Sequence, residues 1–305
     1  MNNFQFRQLN LLNEIEPLKQ FHNRLFKSTD ASSEWLLWYC TIHGKDKHAR
    51  VYGVWDDSRL VGIWCVEPKI FQHGGTKIKV GRCFSVGIDD DYRRRNLFVE
   101  LSKFAIQKEI DLGEFDYIFG FPQIGRSIVN AHIKAGWYHV QNIQMYSNKT
   151  KPVEPTSLKD VNTSSLIEYL PLSMNNSFIE TIDYKNTRWF KHHPDLLYVC
   201  LKRYESCVIV KPYNNVCHIL DLYGISCNVK IILNALRMLA HRHKWQELTI
   251  WNADNERYHN DIIACDFVPG ATNGSSVSML AVNINRSENI KFDSCHIQMG
   301  IEEIY

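Results

Sequence analysis

Hydrophobic and polar positions along this chain switch between the two spacings that mark strands and helices. Phe4 to Leu9 alternates as a half-buried strand does. Leu12 to Phe26 instead carries Leu18, Phe21, Leu25 and Phe26 on one helical side. A second helix is expected over Ser33–His43, stopped by Gly44. A hairpin follows: Val51–Trp55 and Leu60–Val66 are β-rich runs joined by Asp56-Asp57-Ser58-Arg59. After Gly74-Gly75, Lys77–Ile88 reads as a long third strand. The polar stretch Asp89–Asn96 then leads into a helix from Leu97 to about Ile110, with Leu97, Leu101, Phe104 and Ala105 as its core face. Tyr117–Phe121 is a short strand, Ser127–Ala135 a helix that stops at Gly136-Trp137, and Tyr138–Tyr146 a further strand.

Ser147–Ser165 is polar, contains Pro152 and Pro155, and is expected to be a linker. Beyond it the order recurs. Leu166–Leu172 reads as a strand, a short helix precedes Tyr184, and Tyr198–Arg203, Cys207–Tyr213 and Val216–Leu222 read as three strands. Val229–His243 is a helix facing inward with Ile232, Leu233, Leu236 and Leu239. Leu248–Trp251 is a strand, Glu256–Cys265 a helix and Val277–Ile284 a final strand. Asp266-Phe267 holds the place that Gly136-Trp137 holds earlier. The repeat is one of element order rather than of residues. It predicts an α/β protein of two related lobes, each a mixed sheet flanked by helices, with domains at 1–150 and 151–305.

A length of 305 residues suits two domains, and 45% hydrophobic with 22% charged residues is ordinary for a globular protein. Lys and Arg total 35 against 33 Asp and Glu, a net charge of +2. That balance gives no general attraction to nucleic acid or anionic lipid, so any basic site must be local. The start, Met1-Asn2-Asn3-Phe4-Gln5, lacks the basic and apolar stretches of a signal peptide. No window reaches the ~20 apolar residues a bilayer crossing needs. A cytoplasmic protein is therefore expected. The 9 cysteines are odd in number, form no CxxC pair and sit mostly in apolar runs, as buried free thiols do. Despite 13 histidines, no ligand spacing points to a metal.

The stretch Ser85 to Phe98 carries the most chemistry. A strand enters a tight polar turn that opens a helix, where backbone N–H groups without intrahelical partners and the helix dipole favour a phosphate or diphosphate. Arg93, Arg94 and Arg95 strengthen such a cradle. Local chemistry leaves a second reading open: a solvated turn whose arginines answer Asp89, Asp90 and Asp91.

Tyr92-Arg93-Arg94-Arg95-Asn96-Leu97-Phe98 resembles the R-x-x-G-x-G/A acyl-CoA pyrophosphate loop of the GCN5-related N-acetyltransferases (GNAT). It stands after the third strand of a three-strand run, at the start of the main helix. Phe121-Pro122-Gln123 and Ser127–Trp137 resemble the segment that follows it in the family. Two departures stand out. Asn96 replaces the middle glycine, tolerable because Asn adopts left-handed conformations. Phe98 replaces the last small residue, which alters the cofactor path there. In the second half, Asp221–Asn228 occupies the corresponding turn without arginines.

The resemblance implies a donor, acetyl-CoA or a longer or hydroxylated acyl-CoA, with no metal. Phe84, Ser85, Val86 and Ile88 would line its arm, and one N–H of Phe84–Ile88 would stabilise the thioester oxyanion. Arg93, Arg94, Arg95, Asn96, Leu97 and Phe98 would hold its diphosphate. An acceptor amine attacks the thioester directly. His132, four residues before Gly136 where many members carry a Tyr, is the implied acid or base, with Tyr138 as substitute. Cys83 and Ser85 read as small strand residues rather than covalent nucleophiles. Arg188–Pro194 mixes aromatic and cationic groups, and Trp189, His192 and His193 suit a base or sugar and its diphosphate; the stretch also suits a plain domain interface with Trp189 and Phe190 as core. Tandem members of the superfamily imply a dTDP-linked aminodeoxy sugar of surface polysaccharide synthesis as acceptor. The alternatives are a peptide or amino-acid N-acyltransferase, or a non-catalytic CoA-binding module. Neither nucleic acid nor membrane is an expected partner, and a homodimer stays open.

Overall fold

A computed structural model describes residues 4–26, 30–40, 49–73, 76–149, 215–271, 274–291 and 295–297, and strand backbone at 161–162, 178–180, 197–201 and 206–213. The first half runs β1 (Gln5–Gln8), α1 (Ile15–Leu25), α2 (Ser33–Tyr39), β2 (Arg50–Asp56), β3 (Arg59–His73), β4 (Thr76–Ile88), a 3-10 turn (Asp90–Tyr92), α3 (Leu97–Leu112), β5 (Tyr117–Gly120), α4 (Ser127–Lys134) and β6 (Tyr138–Lys149). The second runs β7 (Val161–Asn162), β8 (Phe178–Glu180), β9 (Leu197–Leu201), β10 (Ser206–Tyr213), β11 (Val216–Tyr223), α5 (Ser226–Arg242), β12 (Glu247–Asn252), α6 (His259–Ala264), β13 (Val268–Pro269), β14 (Val277–Asn283) and β15 (Cys295–His296).

Local chemistry sets several of these boundaries. Ser32 caps α2 by accepting from the Trp35 N–H at 3.1 Å. α3 ends where Gly113 turns left-handed (φ 64°) and its N–H returns to the Glu109 carbonyl at 3.0 Å. The expected strand Leu166–Leu172, the helix before Tyr184 and the helix end at His43–Gly44 lie outside the described residues. The expected linker is corrected at its start: Ser147, Asn148 and Lys149 are strand, paired with Thr249, Leu248 and Glu247. Their polarity is satisfied there, since the Asn148 amide donates to the Cys265 and Asp266 carbonyls at 2.9 and 3.1 Å.

The chain forms a mixed α/β structure of two compact units. The first comprises Met1–Ile70, Ile78–Val140 and Ser278–Ile290; the second comprises Phe71–Lys77, Gln141–Val277 and Lys291–Tyr305. These units do not divide at residue 150: β6 belongs to the second from Gln141 on, and β14 to the first from Ser278 on. In the first unit the strand order is β1-β2-β3-β4-β5-β14, with β4 and β5 parallel and β14 antiparallel to β5. In the second it is β6-β12-β11-β10-β9-β7, with β11 and β12 parallel.

The sheet of the first unit is covered on both faces, which is why Leu60–Val66 reads as an unbroken apolar run. Val51, Ile63, Cys65 and Phe84 pack under Leu18, Phe21, Leu36 and Tyr39 of α1 and α2. The alternate residues Tyr52, Val54, Trp64 and Cys83 pack against Leu101 and Ala105 of α3. In the second unit α5 lays Val229, Ile232, Leu233 and Leu236 on Val208, Val210, Cys217, Ile219, Leu248 and Ile250. The repeated turn is real in geometry. Gly136 (φ 101°) and Asp266 (φ 61°) follow their helices, and the next N–H returns to the helix in both cases: Trp137 to His132 O at 3.2 Å and Phe267 to Ile262 O at 3.4 Å. Each turn seats a buried aromatic ring.

Candidate functional site

β4 and β5 part company partway along. Their parallel pairing covers Val80, Gly81 and Arg82 against Tyr117, Ile118 and Phe119, while β4 continues to Ile88. β5 ends at Gly120, and the Pro122 carbonyl accepts from Ser278 N at 2.9 Å on the β14 side. Trp137 fills the place beside the parting: it lies against Gly120, where a Cβ would come within 3.2 Å of its ring, and its indole N–H donates to Ser102 Oγ at 3.2 Å. Among the described residues, the β5-facing edge of β4 from Phe84 to Ile88 pairs with no strand. Ser85 on this stretch is left-handed (φ 44°), a conformation that costs a residue with a Cβ about 1–3 kcal/mol and persists only where the surroundings impose it.

Directly after β4 the chain is held firmly. Asp89, buried, accepts at Oδ2 from Arg59 Nη2 at 2.8 Å and Arg24 Nε at 3.1 Å. Burial alone would raise its pKa, but the two guanidinium groups keep it below the usual carboxylate value. Tyr92 donates to Asp56 Oδ2 at 2.8 Å. On this base Arg94 (φ 63°) and Asn96 (φ 62°) both turn left-handed, and Asn96 stands as the N-cap of α3 without a side-chain cap. Among the described residues nothing accepts from the backbone N–H groups of Arg94 through Val99; the first bond of the helix is Glu100 N to Asn96 O. This run of donors at the positive end of a helix is what a diphosphate requires. Arg93 is drawn to Asp90 at 2.7 Å and Arg95 lies over the Tyr92 ring at 5.1 Å. The competing reading of arginines answering aspartates thus holds for Arg93, while Asp89 is claimed by Arg24 and Arg59 instead.

Crystal structures of GCN5-related N-acetyltransferases share this architecture. The one from Anabaena variabilis ATCC 29413 aligns at TM-score 0.66 and 10% identity, covering 93% of this chain and 73% of its own. Those from Kribbella flavida (0.62, 9% identity, 93% and 72%) and Sphaerobacter thermophilus (0.56, 11% identity, 95% and 98%) align likewise. The fold is that of the GCN5-related N-acetyltransferases. No protein-family model and no curated protein sequence matches the chain. The GNAT likeness extends over nearly the whole length, in keeping with two lobes of this fold. Among the described residues no helix is long and apolar enough to cross a membrane.

Within the GNAT fold, the expected site residues separate. Phe84, Ser85, Val86 and Ile88 lie on the free stretch of β4, and Arg93 to Phe98 form the turn after it. Phe98 does not stand alone at the helix start: its ring meets the His132 ring edge to face at 4.9 Å. His132 is 2% exposed, its Nδ1 lies 2.8 Å from the Ile128 carbonyl and Trp137 closes the other side at 4.9 Å. Burial pushes its pKa down to about 4, so the imidazole is neutral at pH 7 and has no proton to spare as an imidazolium acid. Tyr138 donates to Asn283 Oδ1 at 2.9 Å and accepts from Ile290 N at 3.0 Å, and burial raises its pKa. Its hydroxyl braces the segment after β14. Trp189, His192 and His193 lie outside the described residues.

In the second unit the corresponding turn is tied to its own protein at Gly224. The Tyr258 hydroxyl accepts from Gly224 N at 3.0 Å and donates to Gly224 O, immediately before α5. Ser226 Oγ turns to Asp261. Sequence inspection found the arginine turn and Asn96. It missed the left-handed Arg94 and Ser85 and the Asp89 clamp. Asn carries a recognisable left-handed preference, whereas Ser and Arg carry none.

Proposed function

We propose that the chain is an acyl-CoA-dependent N-acyltransferase, with the donor bound on the first unit and a primary amine as acceptor. The observation that carries this reading is the run of open N–H groups from Arg94 to Val99 at the start of α3, continuous with the free edge of β4. The diphosphate would sit on that run with Arg94 and Arg95 beside it, and the arm would extend along Phe84 to Ile88. A backbone N–H there would face the thioester oxygen, where developing negative charge makes a fixed donor worth most. The amine attacks the thioester carbon, the C–S bond breaks, and the nitrogen loses a proton while the thiolate gains one. The second unit's turn, Asp221–Asn228, carries no arginine, which favours a single donor site per chain.

For the acceptor, the mixture Arg188-Trp189-Phe190-Lys191-His192-His193 favours an amino sugar carried on a nucleoside diphosphate, because aromatic planes and cations suit a base and a diphosphate together. Titration calorimetry with acetyl-CoA, followed by thiol release in a panel of nucleotide-linked amino sugars, free amino acids and peptides, tests both parts. Arg94→Ala and Arg95→Ala should each weaken acetyl-CoA binding about tenfold, the loss of one partly exposed charge-assisted contact. Unchanged affinity in both variants would remove the donor from this turn, and thiol release with peptides alone would remove the sugar acceptor.

A further inference from the structure

We propose that Trp137 is the floor of the acyl slot and restricts the donor to acetyl-CoA, an assignment that rests on the acyltransferase reading. The diphosphate would stand at the turn after Ile88, so an arm laid along β4 runs back toward the start of that strand. Its acyl end therefore points at Cys83 and Gly120, where β4 and β5 come together. The half-buried part of β4 on this path is Ser85, Val86 and Gly87, three residues at ~3.3 Å each. Phe84 and Cys83, next in line, are buried. A longer acyl chain needs room at that vertex.

One ring closes the vertex on the α3 side. A Cβ at Gly120 would lie 3.2 Å from Trp137 Cζ3, 3.5 Å from its Cη2 and 3.9 Å from the Cys83 Cβ. The six-membered edge of the indole thus lies against the Gly120 backbone with Cys83 beside it. The indole is held there: its N–H donates to buried Ser102 Oγ at 3.2 Å, and the His132 and Trp64 rings meet it edge to face at 4.9 and 6.5 Å. On the α2 side Phe84 closes the same place, between Tyr39 edge-on at 5.4 Å and the Arg82 guanidinium at 4.6 Å. Ser85 Oγ also turns to that side, donating to the Tyr39 hydroxyl at 3.2 Å.

A packed apolar wall discriminates against one extra methylene by about 10–200-fold, because a dense interior makes room only by forcing side chains off their rotamers. Of the two walls, Trp137 is the one that can be shortened without disturbing a charge. Phe84 lies under Arg82, whose buried ion pair with Glu67 at 2.7 Å would be affected by its loss. Trp137 touches only rings, Gly120, Cys83 and the Ser102 hydroxyl among the contacts that define the vertex.

The test is titration calorimetry of wild type, Trp137→Phe and Trp137→Leu with CoA, acetyl-CoA, butyryl-CoA and hexanoyl-CoA, which needs no acceptor. Wild type should bind butyryl-CoA about tenfold and hexanoyl-CoA about 100-fold more weakly than acetyl-CoA. Trp137→Phe should bring butyryl-CoA to within about threefold of acetyl-CoA, and Trp137→Leu hexanoyl-CoA as well. CoA carries no acyl group, so its Kd should stay within about threefold in each variant and report a slot otherwise intact. Where Trp137→Leu does not fold, Trp137→Phe decides, because it keeps a ring against Gly120. Equal affinity of wild type for the three thioesters overturns the floor. So does an order of affinities unchanged in Trp137→Phe, or a loss of CoA along with the thioesters in that variant. Each of these leaves the acyltransferase reading in place, whereas wild type that binds neither CoA nor acetyl-CoA overturns both.

Discussion

His132 offers a quantitative check on the chemistry of the first unit. In the folded chain its pKa is about 4, against roughly 6.5 for an unfolded histidine. The unfolded chain therefore takes up this proton first on acidification. The native state keeps its full advantage above pH 6.5 and loses it as the pH falls toward 4. A difference of roughly 2.5 pH units corresponds to ~3 kcal/mol at the acid end, and about 2 kcal/mol of it is already lost at pH 5. His132→Leu removes the titration while keeping an apolar side chain between Phe98 and Trp137. Urea unfolding at pH 7.5, 6 and 5 should show wild type losing about 2 kcal/mol more than the variant by pH 5. His22 and His218 are also buried with lowered pKa values, but they titrate in both proteins and cancel in the difference. Parallel pH curves for the two proteins would refute the burial argument. A kcat that collapsed in His132→Leu at pH 7, with acetyl-CoA affinity intact, would restore the imidazole to the mechanism.

Two further predictions concern what holds the units in shape. Glu109 is fully buried, taking Arg50 Nε at 2.8 Å and the Tyr52 hydroxyl at 2.7 Å, so Glu109→Ala leaves the Tyr52 hydroxyl without its acceptor and Arg50 with only Glu114 at 2.7 Å, and should cost about 2–4 kcal/mol in chemical denaturation; a loss under 1 kcal/mol would show the cluster to be hydrated. Tyr258→Phe should destabilise the chain by about 1–3 kcal/mol through the two unsatisfied Gly224 groups and leave acetyl-CoA binding at one per chain; a second equivalent bound by the variant would mean that the hydroxyl had been closing a competent site.

Much of the fold was legible in the chain because its strands and helices are periodic and bounded by strong signals. Gly113, Gly136 and the hairpin turn at Asp57 mark ends that side-chain chemistry alone explains. The arginine turn and Asn96 were visible for the same reason. Strand partners were not. The spacing of Val277–Asn283 says only that it is a buried strand, and nothing in it names β5 rather than a neighbour in its own half. The polar Ser147–Lys149 looks like a linker until the ladder with β12 supplies its hydrogen bonds. The same holds at the site. Residue types determined that a turn after Ile88 could grip an anion, since helix starts and arginines act locally. Only the tertiary structure decided that β5 leaves β4 after Arg82, that Ser85 bends toward Tyr39, and that His132 is neutral, because strand divergence, imposed backbone strain and desolvation all depend on residues distant in sequence.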